Sequence, residues 1–521
     1  MKIGFPIIFF LISLGMSVLA KDYKTSNVRD IVQFPEQTGC KIKLNLSDMK
    51  AIGEVDKRYQ SFNVEMCEVI GGDFWIPYNL VDSVRKTSTR KGFAALKWSI
   101  PPINLYEKKL RMLAAALGPT YIRVSGTWAN AVYFQDDDQP KLATVPEGYQ
   151  NILTRKQWKG VLDFCKATNG KLVTSFSICN GMRDKEGNWS PKQLQSVLNY
   201  TKSVGGEIAT AEMFNEPSHA SHGDAPKGYD GARFAKDFAA YKEYVRIAAP
   251  EMKIMGPGST GEGGILPTGL DVTTESMLSA EPKPSFDIFS YHYYGTVSKR
   301  CMGGQKPENA LSESWLSKTE IGLSYYQGLR DKYNPGAPIW LTETAETACG
   351  GNPWAATYLD CFRYLEQLGR LAKKGVQVVM HNTLARSEYA LLDNDTHDPR
   401  PNYWVALLWN RLMGTKVFEA GQLTEGVDVF AHSLKNSSKG FAVLIVNPKE
   451  SECLIEIPLK AEKYLLTSEE NLQTKTIKLN GIVLKLKPDE TLPELKGEKI
   501  KAGEVQLPPH SILFLSFKNN K

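Results

Sequence analysis

Eight short runs of apolar or β-branched residues punctuate the middle of the chain. They are Ser61–Met66, Tyr121–Val124, Lys171–Ile178, Ile208–Phe214, Lys253–Met255, Phe286–Tyr293, Pro338–Thr342 and Val376–His381. Runs of this length read as strands. Between them the apolar positions change period. Phe234, Phe238, Tyr241 and Val245 fall at i, i+4, i+7 and i+11, one face of a helix. Leu105–Leu117, Gln157–Ala167, Pro191–Val204, Tyr358–Lys374 and Tyr403–Met413 read similarly. Eight strands alternating with helices predict an α/β fold, a (β/α)8 TIM barrel, over residues 58–414. An open doubly wound sheet is the structural alternative. A dinucleotide-binding sheet would carry a GxGxxG turn after its first strand, and none follows Ser61–Met66.

After Gly414 the pattern shortens. Val427–Ser433, Gly440–Asn447, Thr476–Lys487 and His510–Phe517 alternate or run apolar, separated by polar turns such as Leu479-Asn480-Gly481. This predicts a β-sandwich over residues 415–521. Gly39–Leu46 alternates too, with Cys40, Ile42, Leu44 and Leu46 in phase. The segment 21–57 is therefore expected to add a strand to the same sandwich.

Residues 1–20 read as a secretory signal peptide. Lys2 supplies the charge, Ile3 to Leu19 is mostly apolar, and small residues precede a cut after Ala20. An uncleaved membrane anchor is the alternative, and later segments fall short of the ~18 apolar residues of a span. A secreted or periplasmic protein is the expectation. The composition is that of a globular chain, 42% hydrophobic and 23% charged, with net charge +6. The charges are spread along the chain, and no basic cluster interleaved with aromatics suggests nucleic acid. The eight cysteines are scattered, without metal-type spacing, so neither a metal nor a cofactor is expected. Free buried thiols are the default in a large core.

Two carboxylate motifs carry the chemistry: Phe214-Asn215-Glu216-Pro217 and Trp340-Leu341-Thr342-Glu343-Thr344. Each places a glutamate where a strand gives way to a loop, at the fourth and seventh runs. Barrel active sites lie at the carboxyl ends of the strands. Two such carboxyls about 5–5.5 Å apart, one protonated and one ionised, are what a retaining glycosidase requires. Asn215 is placed to meet the sugar 2-OH. Tyr291-His292-Tyr293-Tyr294 ends the sixth run, where imidazole and aromatic groups suit sugar contacts. His292 and Tyr293 are the expected sugar contacts; core packing of two of these four residues is the alternative. Gly350-Gly351 follows Glu343 closely, and adjacent glycines can turn two N–H groups towards an anion. The bland alternative there is a flexible loop. His219 and His222 read as loop residues and not as a metal pair.

At these residues the chain resembles glycoside hydrolase family 79, the heparanase and β-glucuronidase family. The likeness runs through Trp340–Thr344, Gly350-Gly351, Gly375–Met380, Tyr389, Asn402-Tyr403-Trp404 and Leu412–Val417. It continues in the sandwich at Lys463–Leu466, Leu479-Asn480-Gly481 and Thr491-Leu492-Pro493. The resemblance implies a retaining β-glucuronidase on a barrel plus β-sandwich, with Glu216 as acid/base and Glu343 as nucleophile. It implies that Asn215 contacts the 2-OH, and that the N–H groups of Gly350 and Gly351 with the Tyr389 hydroxyl hold the glucuronate carboxylate. Thr127, in Arg123-Val124-Ser125-Gly126-Thr127, and Glu65, in Ser61-Phe62-Asn63-Val64-Glu65, fall at sugar-binding positions. The expected partner is a glucuronic-acid-containing oligosaccharide, polysaccharide or glycoconjugate. Cys349 stands where the family has Tyr, and the loop from Glu343 to Gly350 is one residue longer. A barrel glycosidase acting on neutral sugars, and an inactive polysaccharide-binding homologue, are the competing readings.

Overall fold

The computed structural model describes residues 39–518 except 48, 267–268, 421–425, 438 and 470. The expected leader, residues 1–20, lies outside the described residues. Eight strands close into a barrel: β1 (Gln60–Glu65), β2 (Thr120–Ser125), β3 (Gly170–Ser175), β4 (Thr210–Glu212), β5 (Lys253–Ser259), β6 (Ile288–Tyr293), β7 (Ile339–Thr344) and β8 (Val378–His381). Every neighbouring pair is parallel, and β8 closes on β1. Helices Lys108–Ala116, Arg155–Ala167, Lys192–Ser203, Gly231–Ala248, Thr274–Ser279, Lys318–Tyr333, Tyr358–Lys373 and Pro401–Leu412 follow the strands in turn. Parallel strands need such crossovers, which cover the outer face of the sheet. The architecture is a (β/α)8 barrel.

Local chemistry fixes the helix starts. Thr154 caps Arg155–Ala167 in a reciprocal box with Gln157, and Asp230 caps Gly231–Ala248 through the Arg233 N–H. Helices Lys318–Tyr333 and Thr274–Ser279 were not picked out by the apolar period. The first is only weakly amphipathic in sequence, and the second is a turn and a half long.

The C-terminal region forms an antiparallel sheet that runs from Ala51–Glu54 and Met413–Phe418 through Asp428–Leu434, Gly440–Asn447 and Ser511–Lys518 to Ala461–Ser468. A three-stranded sheet of Cys40–Lys43, Cys453–Ile457 and Gly503–Leu507 faces it. The strand period of two sorts the side chains. Val429, Ala431, Val443, Ile445, Leu513 and Leu515 pack towards the small sheet, with Ile42 and Ile455. Phe430, Leu444, Ile512 and Phe514 point the other way and join the barrel core. That second face lies on helix Tyr358–Lys373. A Cβ on Gly369 would sit 2.4 Å from the Phe430 ring, so only glycine allows this approach. The helix is buried on nearly all sides, and its charges are paired: Arg363 with Asp360 at 2.6 Å, Arg370 with Glu366 at 2.8 Å and with Asp428 of the sandwich at 2.6 Å.

The cysteines correct the sequence expectation for four of the eight. Cys40 and Cys453 are register partners on adjacent parallel strands and form a disulfide. Cys301 and Cys349 form a second, tying the loop after β6 to the loop after β7. Sequence spacing could not reveal either pair, because the partners meet only through the tertiary fold. Cys67, Cys165, Cys179 and Cys361 are free and buried. Among the described residues, no helix is long and apolar enough to cross a membrane.

Candidate active site

Polar side chains converge at the carboxyl end of the barrel. Glu343 is the penultimate residue of β7. Glu216 stands four positions beyond the last ladder residue of β4, not at the strand end itself, with φ +47° and ψ +62°. That left-handed conformation costs a non-glycine residue roughly 1–2 kcal/mol and is held by its surroundings. Asn130 clamps the preceding residue, donating from Nδ2 to the Asn215 carbonyl and accepting the Asn215 N–H, both at 2.8 Å. The chain therefore leaves the ladder early and presents Glu216 inward.

One Glu216 carboxylate oxygen, a His292 ring nitrogen and one Glu343 carboxylate oxygen all lie within 4.8 Å of one another. His292 Nδ1 is 3.0 Å from Glu216 Oε1 and 3.8 Å from Glu343 Oε2. These three residues are the cluster, among the described residues, whose donor atoms could hold a metal ion. The same spacing is that of a carboxyl pair working on one bond. Glu343 is held from both sides. Arg123 Nη1 donates to Oε2 at 2.8 Å, and the Tyr294 hydroxyl donates to Oε1 at 2.7 Å. The other Arg123 nitrogen, Nη2, donates to Glu212 Oε2 at 2.9 Å and to Asn215 Oδ1 at 2.7 Å. Arg123 is 1% exposed and Glu212 is fully buried, so this guanidinium spends its charge inside the protein.

The environment separates the titrating groups. Burial raises the Glu216 carboxyl above the ordinary range; the Glu212 charge adds to this, while His219 and Arg123 oppose it. Burial would also raise Glu212, but Arg123 outweighs it and holds that carboxyl below the usual range. Burial pushes His292 down to about 4, so its ring is neutral near pH 7. Glu65 is raised well above the ordinary carboxyl value by burial and then by the Glu343 charge.

The remaining sequence-predicted residues divide. Glu65, at the end of β1, accepts a hydrogen bond from Asn382 Nδ2 at 2.9 Å, and the same amide reaches the Tyr294 and Tyr389 hydroxyls at 3.1 and 3.2 Å. Glu65, Tyr389 and the Glu343 holder Tyr294 are thus joined through Asn382. Gly126 sits under Glu65: a Cβ there would lie 1.7 Å from Glu65 Oε2. Thr127, the next residue, opens the turn after β2 and is half-buried. Gly350 and Gly351 have φ +78° and +81°, and Gly351 lies against the Tyr389 ring. Their carbonyls are occupied: Gly350 O by the Ser387 hydroxyl and the Glu388 N–H, Gly351 O by the Tyr78 hydroxyl. His219 and His222 lie in the turn Pro217–Gly223, their rings 6.0 Å apart and edge to face.

Tyr293 is a correction. It points away from the site towards helix Lys318–Tyr333, where a Cβ on Gly322 would meet its ring at 2.6 Å. Alternation along β6 puts His292 and Tyr294 on one face and Tyr291 and Tyr293 on the other. The tyrosine that reaches the site is therefore Tyr294, through its bond to Glu343.

Arg123, Glu212, Tyr294, Asn130 and Asn382 carry the geometry without having been assigned a part from sequence. Two of them did leave a signal. Arg123 and Glu212 are opposite charges inside runs that read as buried strands, and buried charges must find each other.

The family whose model matches the chain is "Glycosyl hydrolase family 79, N-terminal domain", over residues 93–369. Heparanase of Mus musculus is 25% identical over 477 residues, covering 79% of this chain and 86% of that protein. Hyaluronoglucuronidase of Hirudo nipponia is 25% identical over 450 residues, covering 78% and 88%. Among solved structures, the GH51 arabinofuranosidase of Xanthomonas axonopodis pv. citri superposes with a TM-score of 0.61 over 92% of this chain and 100% of that one. At 16% identity, it shares the fold.

Proposed function

The chain belongs to glycoside hydrolase family 79, and we propose that it is a secreted, retaining β-glucuronidase working by two-glutamate double displacement. Glu216 gives its proton to the glycosidic oxygen as Glu343 attacks the anomeric carbon. The bond to the leaving group breaks and a covalent glycosyl-enzyme forms. Glu216, now a carboxylate, takes a proton from water, which attacks the same carbon and returns Glu343. The observation that carries this reading is the convergence of Glu216, His292 and Glu343, whose donor atoms lie within 4.8 Å of one another; that closeness fits a retaining pair, about 5–5.5 Å apart, better than an inverting pair at about 6.5–9.5 Å.

Each neighbour has a part in this scheme. Arg123 and Tyr294 fix the orientation of Glu343. The Asn215 oxygen is taken by Arg123, which leaves its amide nitrogen to face the sugar 2-OH. Gly350 and Gly351 supply N–H groups, and Tyr389 a neutral hydroxyl, to the glucuronate carboxylate. Burial raises that phenol well above its ordinary value, so it stays a donor. Both carboxylates are present, which supports an enzyme over an inactive carbohydrate-binding protein. Secretion is supported by the leader-like residues 1–20 and by two disulfides, which persist in oxidising compartments.

The test is turnover of an aryl β-glucuronide beside the matching glucoside and xyloside, with the first-formed anomer read by NMR. The expected result is glucuronide selectivity, a β-configured first product and loss of turnover in Glu343→Gln. An α-configured product, or wild-type rates in that variant, would end the assignment. Preference for the glucoside or xyloside would move the substrate to neutral sugars.

A further inference from the structure

The turn after β7 holds a buried carboxylate to which the mechanism above gives no part. Glu346 is fully buried and stands three residues beyond Glu343. Its Oε2 accepts from the Thr347 hydroxyl at 2.7 Å and from the Asn352 N–H at 3.0 Å. Its Oε1 accepts from Asn352 Nδ2 at 2.8 Å. All three donors belong to its own turn. One side chain thus joins residue 346 to residue 352 across Gly350 and Gly351.

The backbone it spans needs holding. Cys349, Gly350 and Gly351 are consecutive at φ +61°, +78° and +81°. Left-handed conformations occur mostly as single residues, and Cys349 adopts one without the freedom of glycine. Asn352 passes the hold outward: its Oδ1 accepts the Lys299 N–H at 2.8 Å, in the loop after β6. That loop also takes the Cys349 carbonyl, through the Ser298 hydroxyl at 3.0 Å and Arg300 Nη1 at 2.5 Å. Val297 and Ala348 form a parallel bridge between the same two loops.

The Glu346 charge is costly where it stands. Arg363 lines the same small cavity but is committed to Asp360, through Nε at 2.6 Å and Nη2 at 2.8 Å. Burial and then the Asp360 charge raise the Glu346 carboxyl to about 7, while Asn352 and Thr347 oppose the rise. A buried carboxylate satisfied by donors of a single turn, and not by a contacting cation, contributes a defined turn geometry in return for its desolvation.

We propose that Glu346 is a positioning residue for substrate binding: its carboxylate sets the Gly350-Gly351 turn in the shape that receives the glucuronate carboxylate. It governs affinity for the substrate without touching it. This rests on the β-glucuronidase reading and adds the residue that shapes the nest.

The experiment uses the full chain and an aryl β-glucuronide, with kcat and KM read separately. Glu346→Gln keeps the shape and one acceptor oxygen but removes the charge. At about pH 8 its KM should rise about tenfold, as loss of a charge-assisted hydrogen bond implies, with kcat within about threefold of the wild type. Binding lost equally from ground and transition states appears in KM alone. The KM excess should vanish at about pH 5, where the wild type is itself protonated at Glu346. The groups that face Glu346 are Asp360 and Arg363, paired with each other, and Tyr293, whose phenol burial raises and so keeps neutral. An unfolding midpoint above the assay temperature shows that Glu346→Gln is folded. If it is not, Thr347→Val, which removes one donor and keeps the side-chain shape, decides by the same rise in KM. Wild-type KM at about pH 8 in the deciding variant, a loss confined to kcat, or a KM excess undiminished at about pH 5 in Glu346→Gln overturns the proposal. A wild type that turns over no glucuronide instead overturns the β-glucuronidase reading on which it stands.

Discussion

Glu212→Gln tests whether the buried charge balance, and not packing alone, organises the site. Glu212 is fully buried. Its Oε2 accepts from Arg123, and its Oε1 accepts from the Ser290 and Thr342 hydroxyls at 2.9 and 3.2 Å. Glutamine keeps the shape and one acceptor oxygen but removes the charge. Removing one partner of a buried pair costs about 3–5 kcal/mol. Arg123 retains Glu343 and Asn215 in the variant, so the lower end, about 3 kcal/mol, applies. Chemical denaturation at pH 7 measures this. Glu212 is held below the ordinary carboxyl range by Arg123 against its burial, so its stabilisation is present above about pH 4.5 and lost as pH falls through its folded value. The gap between wild type and variant should therefore close on acidification. Activity gives a second readout. The Glu212 charge adds to the burial that raises Glu216, so its loss should move the basic limb of the kcat/KM profile to lower pH. The rate should also fall about tenfold or more, because Arg123 is left facing Glu343 as its one carboxylate, and about 1.4 kcal/mol suffices for that. A variant with wild-type stability, unmoved basic limb and full rate would refute the reasoning.

Four further outcomes follow from the same geometry. Asn130→Ala removes both hydrogen bonds that clamp Asn215; a loss of about 2 kcal/mol in denaturation and a larger fall in kcat than in KM are expected. Gly126→Ala places a methyl against Glu65 at a position with φ +95°, so KM for an aryl glucuronide should rise and the unfolding midpoint should drop. Burial pushes Glu68 up to about 7, which favours the folded state at low pH, and that advantage is lost as pH rises from about 4.5 to 7. Glu68→Gln should therefore gain about 3 kcal/mol relative to wild type between pH 4.5 and 8, seen in paired denaturation curves. Replacing Cys301 and Cys349 by serine opens a link between residues 48 apart in sequence; a stability loss of up to about 4 kcal/mol and a raised KM are expected by calorimetry and kinetics.

The barrel was legible because its signal is local and repeated. All eight runs became strands, and the helices between β1 and β5 and at Tyr358–Lys373 and Pro401–Leu412 followed their apolar period. The mismatches have physical causes. The run Ile208–Phe214 continues apolar past Glu212, but the Asn130 clamp pulls the chain out of the ladder before Asn215. The choice of Tyr293 over Tyr294 is a matter of parity along one strand, and β6 carries a register shift between Tyr291 and His292 that sequence period cannot display. Asn382 was invisible because a lone amide after β8 has no pattern; its weight comes from three partners drawn from β1, the loop after β6 and residue 389. Disulfide pairing depends on strand neighbours 413 residues apart in sequence, beyond any local signal.

The site holds four carboxyl groups, Glu65, Glu212, Glu216 and Glu343, about one guanidinium. Burial raises Glu65 and Glu216, which favours the protonated form of both. His292 is driven neutral by its own burial, so it adds no charge between Glu216 and Glu343. Arg123 is then shared between Glu212 and Glu343, and it can be shared only because Glu212 is there to take half of it. A guanidinium committed wholly to Glu343 would lower that group's nucleophilicity; a site without the guanidinium would leave two buried carboxylates opposed. In the proposed reaction the third charge to enter is the substrate's own carboxylate. The proposed nest for it, Gly350 and Gly351, lies against Trp75 and the Arg300 guanidinium. A uronate so oriented turns its anomeric carbon towards Glu343 and keeps its negative charge away from the four carboxyls. On the proposed reading, discrimination against neutral sugars comes from that placement: without an anion in the nest, binding gives up the interaction that fixes the ring's orientation.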